Sequence, residues 1–173
     1  MINYITSASA KSYVDRKCNC GANCITYAKL ILEASKKYSI PDPVLLLSLM
    51  MQESSCNLNA GSGSSYGLMQ INTWEYCKNQ LHLVSINDVI GKGNVKNNIE
   101  CGAIILGEKY KIYKNGVTFN GCTAKFKDLK YYKWEAALRG YNGLGCNKNY
   151  PEQDKFVPEI MTRFKCLKGE IQC

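Results

Sequence analysis

A chain of 173 residues, 46% hydrophobic and 21% charged, has room for one domain with a real core, which excludes both a disordered chain and a multidomain assembly. Ten cysteines, an even number, point to an oxidising compartment and several disulfides. With a single histidine, His82, and no pair of C-x-x-C knuckles, no metal or other cofactor is expected. Twenty-two lysines and arginines against 14 acids give a net charge of +8, which favours polyanions. The lysines are scattered and no recognition-helix, zinc-finger or RNP pattern occurs, so nucleic acid is not an expected partner.

At the start of the chain, MINYITSASAKSYVDRK lacks the apolar core of a secretion signal. No later stretch approaches the roughly 20 apolar residues that cross a bilayer, so a soluble protein without a membrane span is expected. Met1 to about Gly21 shows no helical periodicity and reads as an arm tied down by its cysteines. The division expected is an arm over residues 1–25 and a domain over residues 26–173. From Thr26, the residues Tyr27, Leu30, Ile31, Ala34 and Tyr38 recur at helical spacing, and Ile40-Pro41-Asp42-Pro43 ends that helix.

Next comes PVLLLSLMMQE, apolar all round a helix and therefore a core helix, with Asp42-Pro43 suited to its start and Ser54 to Asn59 to its end. Glu53 closes it. Desolvation and the negative end of the helix dipole both oppose ionising a carboxyl in that place, so Glu53 reads as a proton donor. A glutamate on such a turn can also simply reach solvent or pair with a lysine, and helix position alone favours that plainer reading until the rest of the chain is weighed.

Asn57 to Ser65 reads as a loop or small irregular hairpin. Thr73 is expected to cap a brief helix through Cys77, and Leu81 to Gly93 to be a connection with one more helical turn. Asn94 is expected to cap the longest helix, with Val95, Ile99, Ala103, Leu106, Tyr110 and Tyr113 on one face and Asn115-Gly116 as its stop. Gly116 to Tyr132 reads as an exposed loop or hairpin turning at Asn120-Gly121. Trp134, Ala137, Leu138 and Tyr141 mark a short helix closed by Gly143 or Gly145, and Phe156, Val157, Ile160, Met161 and Phe164 mark a last one. The fold class expected is mainly α, a single disulfide-stapled domain with little β structure.

Three segments, MMQESSCN, SYGLMQIN and ALRGYNG, stand in an order and at spacings that resemble the soluble-transglycosylase type of lytic transglycosylase, in the lysozyme-like superfamily related to goose-type lysozyme. NNIECGAIILGEKY resembles that family's helix between the second and third motifs, and the likeness runs from about Thr26 to Lys165. It implies a lysozyme-like fold and cleavage of peptidoglycan glycan strands; a monomer is expected. By the same resemblance Glu53 is the catalytic acid and then base, with Ser54 supporting its helix end. Ser62 matches a serine used near the reacting sugar. Gly67, Leu68, Met69, Gln70 and Ile71 form the wall of a saccharide groove, in which Met69 and Gln70 are the foremost contacts. Tyr141 and Asn142 make the third motif, with Tyr141 close to the Glu53 carboxyl. Read simply as residues, Leu68, Met69 and Ile71 also suit a plain core, and a buried Gln70 needs a partner from a sugar hydroxyl or the backbone.

Most glycosidases flank the bond with two carboxyl groups. Here no Asp or Glu lies between Glu53 and Gly67, and the position two beyond Gln70, an aspartate in the goose-type lysozymes, is Asn72. Glu75 is the nearest remaining acid. One acid suffices if the substrate supplies its own nucleophile, which favours a transglycosylase leaving 1,6-anhydromuramic ends over a lysozyme in which Asn72, Gln70 or Tyr141 holds a water. The positive charge then suits an anionic bacterial envelope, and the disulfides suit a secreted, cell-wall or virion-borne enzyme. A non-catalytic wall-binding module on the same fold is the main rival. A cysteine peptidase is the lesser one, since His82 between Leu81 and Leu83 reads as structural and paired cysteines leave no thiolate.

Overall fold

The computed structural model describes residues 8–120, 127–145 and 155–173. The first described element is a helix, α1 (Ala8–Lys17), where the sequence reading places a non-helical arm. The stripe that makes it helical is only Ala10, Val14 and Cys18, each buried and four residues apart, which is too sparse to stand out in a polar segment. Docking against the last helix and the Cys18–Cys56 disulfide supply what local propensity does not.

A single turn over Gly21–Asn23 leads into α2 (Cys24–Lys37), which buries Tyr27, Ile31, Ala34 and Ser35. The chain then reverses through Ser39, in the left-handed region at φ 57°, and enters α3 (Pro43–Ser54). Asp42 caps α3 by accepting from the Val44 N–H at 2.9 Å, and Pro43 occupies the first turn, where a missing N–H costs nothing. Every residue from Val44 to Met51 is buried, so α3 is a core helix. Ser55 and Cys56 turn out of it with φ of 48° and 59°.

A two-residue hairpin follows, β1 (Gly61–Ser62) against β2 (Ser65–Tyr66), with Gly61 opposite Tyr66. Beyond it come the turn Trp74–Tyr76, the short α4 (Lys78–Leu81) and the turns Ile86–Val89 and Lys92–Asn94. Neither Thr73 nor Asn94 caps with its side chain as expected. The Asn94 amide donates instead to the carbonyls of Asn87 and Ile90, both at 2.9 Å, binding the preceding turns together. The longest helix is α5 (Val95–Tyr113), after which β3 (Val117–Asn120) pairs antiparallel with β4 (Lys127–Tyr131). The Gly121 half of the expected turn lies outside the described residues. The chain closes with α6 (Lys133–Asn142), ended at Gly143 with φ 99°, and α7 (Phe156–Leu167).

Five helices contact one another in a closed ring: α2 meets α5, α5 meets α6, α6 meets α7, α7 meets α3 and α3 returns to α2. Ile31, Leu46, Leu49, Met50, Ile99 and Leu106 fill the core with essentially no exposure. Between α2 and α5, Glu100 accepts from Lys37 Nζ and the Tyr38 hydroxyl, both at 2.7 Å. Four disulfides join described residues: Cys18–Cys56, Cys20–Cys24, Cys77–Cys101 and Cys166–Cys173. Cys122 and Cys146 lie outside them. The domain is thus mainly helical and disulfide-stapled, and among the described residues no helix is long and apolar enough to cross a membrane.

Candidate active site

The last turn of α3 carries Glu53, and its neighbour Ser54 ties that turn to the next motif. The Ser54 hydroxyl lies 2.7 Å from the carbonyl of Leu68 and 3.2 Å from that of Met50. The segment from Gly67 to Ile71 is a compact turn held from several directions. Tyr66 and Ile71 exchange backbone hydrogen bonds across it, at 3.1 and 2.9 Å. From α5, the buried Asn98 accepts from the Met69 N–H at 2.9 Å and donates to the carbonyls of Tyr66 and Val89 at 3.1 and 2.9 Å. Gly67 has to be glycine on two counts: its φ is +75°, and a Cβ would collide with the Asn98 amide.

Gln70 sits in the left-handed region at φ 46°, a conformation that costs a non-glycine residue about 1 kcal/mol or more. Its side chain compensates by donating from Nε2 to the carbonyls of Ala60 and Gly67, at 3.0 and 2.9 Å. The partner that a half-buried Gln70 needs is therefore backbone, and its side-chain oxygen is left over among the described residues. From α6, the Tyr141 hydroxyl donates to the Met69 carbonyl at 2.8 Å, joining the third motif to the second.

These elements enclose a cleft of about 550 Å3 onto which Glu53 opens. Ser65, Gln70, Asn72 and Thr73 line it from the hairpin and the turn, and Tyr141 and Asn142 line it from α6. Gln52, Ile105 and Phe156 complete it from α3, α5 and α7. Five sequence-nominated residues thus meet around one space: Glu53, Gln70, Asn72, Tyr141 and Asn142. Leu68, Met69 and Ile71 do not line it. All three are buried in the core, with Met69 packed onto Gly102, where a Cβ would come within 2.7 Å of its side chain. Met69 therefore presents its backbone to Tyr141 and not its thioether to a ligand. Ser62 stands in β1 opposite the cleft-lining Ser65, and the side chain nominated there falls outside the described residues.

Electrostatically the cleft is built around an acid with no counter-charge among the described residues. Glu53 has no hydrogen-bond or ion-pair partner among the described residues, and burial pushes its pKa up to about 8. Tyr141 is held well above the usual phenol value, first by burial and then by the nearby Glu53 carboxyl. None of the other lining residues is an Asp or Glu. Glu75 is exposed on the turn after the motif and lies outside the lining. Glu159 approaches through Gln52, whose amide nitrogen donates to it at 3.0 Å, while Arg163 donates to the Gln52 oxygen. No cluster of three or more His, Cys, Asp or Glu side chains among the described residues is arranged to hold a metal.

Asn98, Gly102 and Arg139 escape a reading of motifs. Asn98 and Gly102 stand four apart on one face of α5, so one anchors the Met69 backbone and the other receives its side chain. Arg139, almost fully buried, donates to the Asn142 side-chain oxygen at 3.1 Å and to the Gly145 carbonyl at 2.9 Å, orienting Asn142 at the cleft. The signal that points to them is an asparagine and a glycine inside an otherwise apolar helix, and an arginine within ALRGYNG.

A family model for the transglycosylase SLT domain matches residues 29–160, which takes in the end of α3, the motif turn, α5 and α6. No curated protein matches the chain. A match over most of the chain, joined to an isolated acid in a cleft between these helices, places the protein: it belongs to the transglycosylase SLT family, enzymes that cleave glycosidic bonds of peptidoglycan.

Proposed function

We propose that this enzyme cleaves the β-1,4 bond between N-acetylmuramic acid and N-acetylglucosamine without water, leaving 1,6-anhydromuramic ends, and that Glu53 serves as acid and then base. The observation that carries the reading is a half-buried, tightly packed Glu53, unpartnered among the described residues, whose pKa of about 8 keeps it mostly protonated at neutral pH, in a cleft whose lining holds no second carboxyl group. Glu53 gives its proton to the glycosidic oxygen as the bond from C1 breaks. The acetamido oxygen of the same muramic acid stabilises the cationic C1. Glu53, now a carboxylate, takes the proton of the C6 hydroxyl while O6 bonds to C1, so one C–O bond is lost, one is gained, and the acid is restored. An intramolecular nucleophile carries an entropic advantage that a second carboxylate would otherwise have to match.

Around Glu53, the left-over oxygen of Gln70 is offered to the sugars as an acceptor, while Asn142, its oxygen engaged by Arg139, offers N–H donors. Asn72 adds a further polar contact. The disulfides support a place of action outside the cytoplasm, at glycan strands of an anionic envelope, where a monomer suffices. Digestion of purified peptidoglycan in heavy-oxygen water, followed by mass spectrometry, tests the reading. The expected products are lighter than reducing-end muropeptides by one water and carry no label. Labelled reducing ends would instead identify a hydrolase.

A further inference from the structure

The elements that line the cleft also carry a feature that the chemistry at Glu53 does not use. One helical turn beyond Ile105 on α5 stands Lys109, on the same face of the helix. Its ammonium lies 4.7 Å from the centre of the Tyr76 ring and 3.3 Å from the Tyr76 hydroxyl. Tyr76 belongs to the turn that follows the cleft residue Thr73, and the Cys77–Cys101 disulfide staples that turn to α5. On the other side, Gly140 precedes the cleft residue Tyr141, and its missing side chain leaves room for Lys109 and Tyr113: a Cβ there would stand 3.5 Å from the Lys109 Cβ and 2.5 Å from the Tyr113 ring. The three elements that line the cleft at Thr73, Ile105 and Tyr141 therefore also frame Lys109.

Lys109 makes no ion pair among the described residues, whereas Lys111 on the same helix is paired with Glu108 at 2.7 Å. Because the Tyr76 oxygen accepts from Lys109, its own O–H is free to donate outward, beside the remaining N–H groups of the ammonium. Tyr76 is 41% exposed, so the pair is open to a ligand. A positive charge with two adjacent donors matches a carboxylate. Resting on the reading above, in which muramic acid occupies the cleft, we propose that Lys109 and Tyr76 form a binding site for a carboxylate carried on the lactyl group of a muramic acid along the strand. That carboxylate is either one of the stem peptide's or the lactyl acid left when the peptide is removed.

The test is a binding measurement in the Glu53→Gln background, using soluble glycan strands with and without their stem peptides. Each preparation is titrated as it stands and after chemical amidation of its carboxylates. The expected result is that amidation weakens binding about tenfold when Lys109 is present, and that the discrimination disappears in Lys109→Met, returns in Lys109→Arg and shrinks in Tyr76→Phe. Discrimination confined to peptide-bearing strands assigns the stem peptide, and discrimination in stripped strands assigns the lactyl acid. Equal binding of native and amidated strands, undiminished discrimination in Lys109→Met, or no binding of any strand overturns the proposal. The readout involves no turnover, so equal binding of native and amidated strands leaves the role of Glu53 standing, no binding of any strand defeats both readings, and an absence of anhydro products leaves this site standing.

Discussion

Glu53 and Glu100 are two glutamates withdrawn into one helical domain, and their surroundings treat them in opposite ways. Glu100 exposes less surface, but the Glu53 carboxyl has more protein packed around it, and that packing governs how much water a charge would lose. At Glu100 burial pushes the pKa upward, yet hydrogen bonds from Lys37 and Tyr38 and the charges of Lys37 and Lys96 outweigh it and hold the pKa below the ordinary value. At Glu53 nothing opposes burial, and the pKa reaches about 8. The difference lies in partners and not in depth: a paired buried carboxylate braces two helices, while an unpaired one keeps its proton at neutral pH.

Removing the unpaired acid should have the largest effect. Glu53→Gln is expected to lower the rate of glycan cleavage on the order of 100- to 10,000-fold with the fold intact, as followed by turbidity of a peptidoglycan suspension and by circular dichroism. Full activity in that variant would break the contrast outright. The same substitution should reveal a cost to stability. Native Glu53 keeps its proton between pH 4.5 and about 8 while the unfolded chain has released its own, so stability is greatest below 4.5 and falls as pH rises through that window. Glu53→Gln should therefore melt at a higher temperature than the parent at pH 8, and an equal or lower melting temperature would contradict an unpartnered, desolvated carboxyl.

The pH dependence of kcat/KM sharpens the same point, because an acid with a pKa of about 8 predicts activity that is sustained to neutral pH and then declines about tenfold per unit above 8. A decline already complete by pH 6 would place the acid elsewhere. Glu100 should behave in reverse. Its depressed pKa makes its contribution present above the unfolded value of 4.5 and lost as pH falls through the native one. Glu100→Gln is expected to destabilise the protein at pH 7 by about 1–3 kcal/mol in urea unfolding while the folded enzyme keeps its kcat. The smallest effect belongs to Tyr141→Phe, which deletes the bond to the Met69 carbonyl and should cost about 1 kcal/mol of stability.

Much of this was readable along the chain. The apolar run from Val44 to Met51 and the Asp42-Pro43 start predict α3 almost to the residue, because capping and all-round hydrophobicity are local properties. The glycine within SYGLMQIN and the polar Gln70 beside Met69 likewise announce a special turn. Where the reading fell short, distant groups decide. The stripe of Ala10, Val14 and Cys18 becomes a helix only against α7 and Cys56. Thr73 and Asn94 have the chemistry of caps, but their neighbours in space direct them otherwise. Met69 belongs by motif to the groove wall, yet the bare surface of Gly102 draws its side chain into the core.

By itself the sequence determined a helical, disulfide-rich domain of the transglycosylase SLT family, with an acid at the end of its most apolar helix, since periodicity, caps and motif spacing are written in neighbouring residues. Only the tertiary structure decided that Glu53 stands without a counter-charge among the described residues while Glu100 has several. The partners of Glu100 are Lys37 and Tyr38, 63 and 62 residues away, and no local pattern tells which of two glutamates a distant lysine will reach. Packing settles that choice, and with it which carboxyl keeps its proton at neutral pH.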